Sequence, residues 1–140
     1  MKVLFLDIDG VLNNFTAHNF KDKFSEPACK NLNTLLQDVP DLSIVISSSW
    51  RHRGLDKMKE VLEKNGIDPK RAIDITGDED GERGNQIRCW LDRNPETSHF
   101  VIFDDNSDME SVKDNFVKIN GYVGLTSADV DKAKEILNKE

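Results

Sequence analysis

The chain has 140 residues, of which 37% are hydrophobic and 32% charged, with a formal net charge of −7. That balance suits one globular domain spanning residues 1–140 and excludes both a disordered chain and a global basic field for nucleic acid or anionic membrane. No apolar run approaches the roughly 18–20 residues of a membrane span, and Cys29 and Cys89 lack metal-ligand spacing, so a cytoplasmic protein with reduced thiols is expected.

The first predicted element is a short buried strand, Val3 to Leu6, that runs straight into Asp7-Ile8-Asp9-Gly10. Alternation along an extended chain puts Asp7 and Asp9 on one side and turns Ile8 into the core. Two carboxylates that close repel each other, and the pair calls for a cation between them. A polar segment follows over residues 13–24, with Phe15, Phe20 and Phe24 as its apolar contacts, and reads as a small loop or flap over the strand end. Ser25 has the place of an N-cap, with Glu26 and Pro27 in the first turn, Leu32, Leu35, Leu36 and Val39 at helical spacing, and Pro40 as the stop.

Leu42 to Ile46 is a nearly continuous apolar strand ending in Ser47-Ser48-Ser49-Trp50-Arg51. Leu55, Met58, Val61 and Leu62 form the next helix, closed by Asn65-Gly66. Ala72 to Ile75 is a third strand, followed by an acidic loop from Gly77 to Gly84 that carries Arg83, and then a helix with Ile87, Trp90 and Leu91. Phe100 to Phe103 is a fourth strand that again runs into acids, Asp104-Asp105-Asn106-Ser107-Asp108. A short helix with Met109 and Val112, a fifth strand at 116–119 and a closing helix that starts on the capping box Thr126 to Asp129 complete the pattern.

Strands alternating with helices predict an α/β, three-layer domain, a five-stranded mainly parallel sheet with helices on both faces. In such sheets the ligand site lies beyond the carboxyl ends of the strands. Here those ends carry Asp7/Asp9, Ser47, the Arg83 loop and Asp104/Asp105, so four polar clusters share one rim. Each has a structural alternative. The serines would also serve as a helix cap, Arg83 as a solvated partner of Glu79, Asp80 or Glu82, and the acids after strand four as dipole-compensating groups at a helix start. Trp50 is expected to pack at the strand–helix junction rather than to stack on a ligand.

With these residues in place the chain resembles the haloacid dehalogenase-like (HAD) superfamily, a Rossmann-like fold, over nearly its whole length. Asp7-Ile8-Asp9-Gly10-Val11 matches the first motif, Ser47 the second, Arg83 the third and Asp104-Asp105 the fourth. Ser47 to Arg51, Arg83-Gly84 before a Trp-Leu helix, and Phe103 to Met109 are similar to the small HAD domain of "Swiss Army Knife" RNA-repair proteins and stand-alone chains like it.

The resemblance implies a phosphatase with Asp7 as nucleophile and Asp9 as acid and base. An acid at Asp9 favours phosphoryl transfer over dehalogenation, whose leaving halide needs no proton. It implies Mg²⁺ held by Asp7, the Asp9 carbonyl and the second acid cluster, with Asp105 the first choice of direct ligand, Asp104 the second and Asp108 acting through water. Gly10, Ser47, Ser48 and Arg83 are assigned to the phosphate, and Arg51 to the substrate beyond it. Without a large inserted cap the site would be open, which suits a nucleic-acid or nucleotide phosphate. A small-molecule phosphatase, a phosphotransferase and a receiver-like regulatory domain are the alternatives. A receiver would carry its acceptor acid after strand three and a lysine after strand five, whereas Asp74 and Lys118 lie inside those strands. No stable protein partner is expected.

Overall fold

A computed structural model of the chain describes residues 1–13, 22–78 and 81–139. Strands β1 (Lys2–Leu6), β2 (Leu42–Ile46), β3 (Ala72–Ile75), β4 (His99–Asp104) and β5 (Phe116–Lys118) form one sheet in the order β3-β2-β1-β4-β5. The sheet is parallel at every pairing rather than mainly so, with Leu6 opposite Ile46 on one side and Phe103 on the other. Central strands β1, β2 and β4 are nearly all apolar because both faces of such a sheet are covered.

Side-chain alternation divides the core in two. Leu4 and Leu6 of β1 join the buried residues of α1 (Glu26–Asp38), α2 (Leu55–Lys64) and α4 (Ser127–Leu137). Val3 and Phe5 point the other way and pack with Ile87 and Trp90 of α3 (Arg83–Arg93) and with Met109 and Val112. Phe5 meets Trp90 edge to face at 5.3 Å between ring centroids, an arrangement the ring quadrupoles favour.

The caps are those the residues suggest. Ser25 accepts from the Ala28 N–H at the start of α1, Gly66 takes φ +78° after α2, and Thr126 and Asp129 complete a reciprocal capping box at α4. The short helix expected around Met109 and Val112 is instead a 3₁₀ turn, Glu110–Asn115, with a non-helical Val112 inside it. Arg71 stays at the amino end of β3, where its guanidinium donates to the carbonyls of Leu42, Leu36 and Val39. No described helix is long and apolar enough to cross a membrane.

All five strands therefore deliver their carboxyl ends to one rim. Of the flap predicted at 13–24, residues 14–21 lie outside the described residues. The described part is anchored: Phe24 is buried, donates its N–H to Asn65 Oδ1 at 2.8 Å, and meets the Trp50 ring at 5.5 Å.

Candidate active site

The rim holds a cleft of about 400 Å³ lined by Asp7, Asp9, Ser49, Arg83, Asp105 and the 106–107 turn. Backbone pairing builds it: the Asp7 N–H continues the β1–β4 ladder by donating to Phe103 O at 3.0 Å, and the Ser47 N–H donates to Leu6 O at 3.0 Å. The ends of β1, β2 and β4 are thereby held level, and the acids that follow them converge.

Asp7, Asp104 and Asp105 each offer a carboxylate oxygen, and the three oxygens lie within 4.8 Å of one another. Arg83 reaches into this cluster, its Nη1 2.7 Å from Asp104 Oδ2 and 3.3 Å from Asp7 Oδ1. Burial pushes the Asp7 carboxyl up to about 9, and the neighbouring Asp104 charge adds to the shift while Arg83 opposes it. Burial raises Asp104 as well, against the pull of Arg83. For Arg83, burial disfavours the charge, yet Asp104 and Asp7 more than restore it and its pKa is raised. Three acids and one guanidinium leave the cluster short of positive charge. A hard divalent cation fits such an oxygen set, and these three carboxylates could hold one.

Asp9 lies on the exposed side of the same cleft. Its carboxylate accepts from the Trp50 indole N–H at 3.0 Å through Oδ2 and from Asn13 Nδ2 at 3.4 Å through Oδ1. Trp50 packs as expected, 9% exposed, with the Arg53 guanidinium 4.0 Å over its ring. Its link to Asp9, 41 residues away, was not foreseen.

The other assigned residues divide. Ser47 is fully buried, and its hydroxyl has no partner among the described residues. Ser48, assigned to phosphate, acts here as a cap: its Oγ accepts from the Trp50 N–H at 3.1 Å and starts the 3₁₀ turn Ser49–Arg53. Ser49 lines the cleft instead. Arg51, assigned to substrate, turns its guanidinium to the Ser48 carbonyl at 3.2 Å and to Asp78 Oδ1 at 3.2 Å. Gly10, also assigned to the phosphate, donates its N–H to Asn13 O at 2.6 Å. Its role is space: φ is +83°, and a Cβ there would lie 2.6 Å from Asp105 Cγ.

Asp108 faces the helix rather than the acid cluster. Its Oδ2 accepts the Arg83 N–H at 2.8 Å and its carbonyl accepts the Gly84 N–H at 3.0 Å, while its Oδ1 is buried without a partner among the described residues. These bonds satisfy the first donors of α3, whose Glu82 cap position offers no side-chain bond. Gly84 permits the approach, since a Cβ there would stand 2.9 Å from the Asp108 carbonyl oxygen. Of the acids weighed as partners for Arg83, Glu79 and Asp80 lie outside the described residues.

Asp74, which lies inside β3 and not after it as a receiver's acceptor would, accepts the Trp90 indole N–H at 2.8 Å. A larger hollow of about 800 Å³, lined by residues of α1 and the end of α2 with Lys23 and Phe24, shares no residue with the acid cluster.

The model of one protein family, the HAD domain in Swiss Army Knife RNA repair proteins, matches residues 3–130. No curated protein and no solved structure matches. Since the matched span runs from the first residues of β1 into α4 and takes in every acid of the cleft, the chain belongs to the family of HAD domains found in Swiss Army Knife RNA repair proteins, a branch of the HAD-type phosphohydrolases.

Proposed function

We propose that the protein is a Mg²⁺-dependent phosphomonoester hydrolase that works through an aspartyl phosphate on Asp7, with a nucleotide or polynucleotide end as substrate. The observation that carries this reading is the cluster of Asp7, Asp104 and Asp105 around a single guanidinium. Left to these neighbours, the Asp7 carboxyl, at about 9, holds its proton at neutral pH and is no nucleophile. A divalent cation in the cluster reverses that balance, because it becomes the largest local charge.

Asp7, Asp104 or Asp105, and the Asp9 carbonyl are the groups that would hold Mg²⁺. When bound, the ion neutralises carboxylates and phosphate oxygens and lets the ester approach a site otherwise dominated by negative charge. The chain's own residues do the rest. A carboxylate oxygen of Asp7 attacks phosphorus, the bond from phosphorus to the leaving oxygen breaks, and Asp9 delivers its proton to that oxygen. Asp9 then takes a proton from the water that attacks the acyl phosphate, releasing inorganic phosphate and restoring Asp7. Arg83 offers a fixed positive charge beside the transferring group. The Ser47 hydroxyl, buried and without a partner among the described residues, gains a phosphate oxygen as acceptor when the ester is bound.

The family description favours an RNA end as substrate, whereas the net charge of −7 disfavours a long contact with the phosphate backbone. A terminal phosphate satisfies both. The test is release of phosphate from an aryl phosphate and from end-phosphorylated oligonucleotides, with and without Mg²⁺. Activity is expected only with the metal and is expected to vanish in Asp7→Asn. Undiminished turnover in that variant, or in excess chelator, would falsify the mechanism.

A further inference from the structure

The carboxylate of Asp9 is contacted through both of its oxygens, and each contact leads back to one end of residues 14–21. Asn13, on one side, donates directly to Oδ1 at 3.4 Å. Asp22, on the other, reaches Oδ2 through two intermediaries. Its Oδ1 accepts from Arg53 Nη1 at 2.9 Å, and the Arg53 guanidinium lies 4.0 Å from the centre of the Trp50 ring. The Trp50 indole N–H then donates to Asp9 Oδ2 at 3.0 Å.

Asp22 has a strained backbone. Its φ of +62° is, among the described residues, the single left-handed value outside glycine. Aspartate tolerates that region better than most residues, yet such strain persists only where the surroundings over-determine it. Asn65, at the end of α2, does so: its amide donates to the Asp22 carbonyl at 2.8 Å, and its oxygen accepts the Phe24 N–H at 2.8 Å. With Phe24 buried as well, the backbone of 22–24 is held without the Asp22 carboxylate. That side chain turns instead to Arg53.

Arg53 has need of it. The arginine side chain is long and 40% exposed, and a guanidinium over a ring is weakly held where water competes for it. The Asp22 carboxylate fixes the guanidinium above one part of the indole, while the Phe24 ring meets the indole at 5.5 Å and 64°. An indole restrained in this way has little freedom to tilt, and tilting is the motion that would break its bond to Asp9. A partly exposed ion pair contributes little to stability by itself. Its effect here lies in orientation.

We propose that Asp22 and Arg53 are positioning residues for Asp9, acting through Trp50 to hold the carboxylate in the orientation that proton delivery requires. This role rests on the reading of Asp9 as acid and base. It adds to that reading two groups that do not line the cleft.

The test has two readouts, one of them independent of metal and turnover. In chelator, the indole N–H resonances of Trp50 and Trp90 are followed by NMR. Trp90 donates to Asp74 at 2.8 Å in the other half of the core and serves as the internal reference. Asp22→Gly keeps the left-handed backbone, which glycine adopts freely, and removes the carboxylate. Asp22→Asn keeps an oxygen acceptor. In Asp22→Gly and in Arg53→Ala the Trp50 resonance is expected to move and to exchange faster with water, with Trp90 unmoved. Asp22→Asn is expected to restore the native position.

With Mg²⁺, Asp22→Gly and Arg53→Ala are each expected to lose about fivefold in kcat on an alkyl phosphate, a fraction of the roughly hundredfold or more that a general acid supplies. Losses with nitrophenyl phosphate, whose leaving oxygen needs the acid less, are expected to stay within about twofold, with KM unchanged. The double variant is expected to be no worse than either single one, because both remove the same brace.

An unmoved Trp50 resonance in Asp22→Gly, equal losses on the two esters, or additive losses in the double variant would overturn the brace while leaving Asp7 and Asp9 in their roles. Movement of both indoles together would assign Asp22 to general stability and overturn it likewise. Full turnover of the alkyl phosphate in Asp9→Asn would instead remove the acid–base reading. Whether Asp22 and Arg53 hold that carboxylate would then be decided by the two resonances alone.

Discussion

The indole N–H of Trp50 donates to Asp9 Oδ2 at 3.0 Å, across 41 residues of sequence. An indole nitrogen can only donate, so this oxygen is fixed as an acceptor and the carboxylate is held in one orientation. Trp50 is itself wedged between the Phe24 edge and the Arg53 guanidinium. Trp50→Phe retains the ring contacts and removes the donor. A general acid matters most when the leaving oxygen is a poor one. The variant is therefore expected to lose about tenfold in kcat with an alkyl phosphate and much less with nitrophenyl phosphate. Equal losses on both substrates would mean that Trp50 supports the fold rather than Asp9.

Ser47 and Ser48 are adjacent, and opposite behaviour is expected of them. The Ser47 hydroxyl is buried and has no hydrogen-bond partner among the described residues. Ser47→Ala should leave the unfolding midpoint unchanged or slightly raised, since it removes an unsatisfied polar group, while KM for any phosphate ester rises. Ser48→Ala removes the cap on the Trp50 N–H and should cost about 1 kcal/mol of stability. Destabilisation by Ser47→Ala, with catalysis intact, would assign that hydroxyl to the fold.

The run of three serines also shows where sequence reasoning stops. The chain leaves β2 at Ile46 and enters a 3₁₀ turn at Ser49. The two-residue alternation that locates side chains on a strand fails within those few residues. Which hydroxyl caps, which is buried and which faces the cleft is decided by that turn, and composition carries no trace of it. Arg51 is obscure for another reason, because a side chain of its length can serve either side of the turn.

The frame was legible because its causes are local. Val3–Leu6, Leu42–Ile46 and Phe100–Phe103 are largely apolar runs followed by polar residues, and parallel pairing then brings Asp7 and Asp104 together without further information. Trp50–Asp9 and Asp108–Arg83 join segments distant in sequence through single hydrogen bonds. Asn106, Ser107 and Ser49 line the cleft by virtue of turn geometry. One signal for Asp108 was present, an acid shortly before the 3₁₀ turn with no strand to fill, but it pointed equally to a metal.

Asp108 supplies the next prediction. Its Oδ2 receives the Arg83 N–H at 2.8 Å, so it anchors the residue that bridges Asp7 and Asp104. Asp108→Asn keeps an oxygen for that bond and should retain activity within a few-fold, whereas Asp108→Ala should lose about 1 kcal/mol of stability, the scale of a helix cap, together with most of its turnover. Gly84→Ala should resemble Asp108→Ala, because its Cβ would meet backbone at 2.9 Å and displace the start of α3. If Asp108 acts instead by its charge on a metal-bound water, Asn should be as damaging as Ala, a difference read by kcat at saturating Mg²⁺.

Without metal, the acid cluster should leave a signature in stability against pH. Asp7 rises from its ordinary value of 3.8 to about 9 in the fold, chiefly through burial. The folded chain thus binds this proton more tightly than the unfolded chain. The contribution to stability is complete below about pH 4 and is lost progressively as pH climbs towards about 9. Asp104 is shifted in the same direction by its own burial and steepens the decline. Arg83, with its pKa raised, remains charged throughout and adds no slope. Bound Mg²⁺ requires these acids ionised, so its stabilisation should grow with pH over the same window. Calorimetry in chelator should show the unfolding midpoint falling between about pH 6 and about pH 9, with the increment from saturating Mg²⁺ largest at the upper end. Asp7→Asn should flatten the chelator profile, since an amide has no proton to lose. A native chain whose metal-free midpoint rises across that window would show that Asp7 is ionised in the fold without help, and would remove the electrostatic case for a cation.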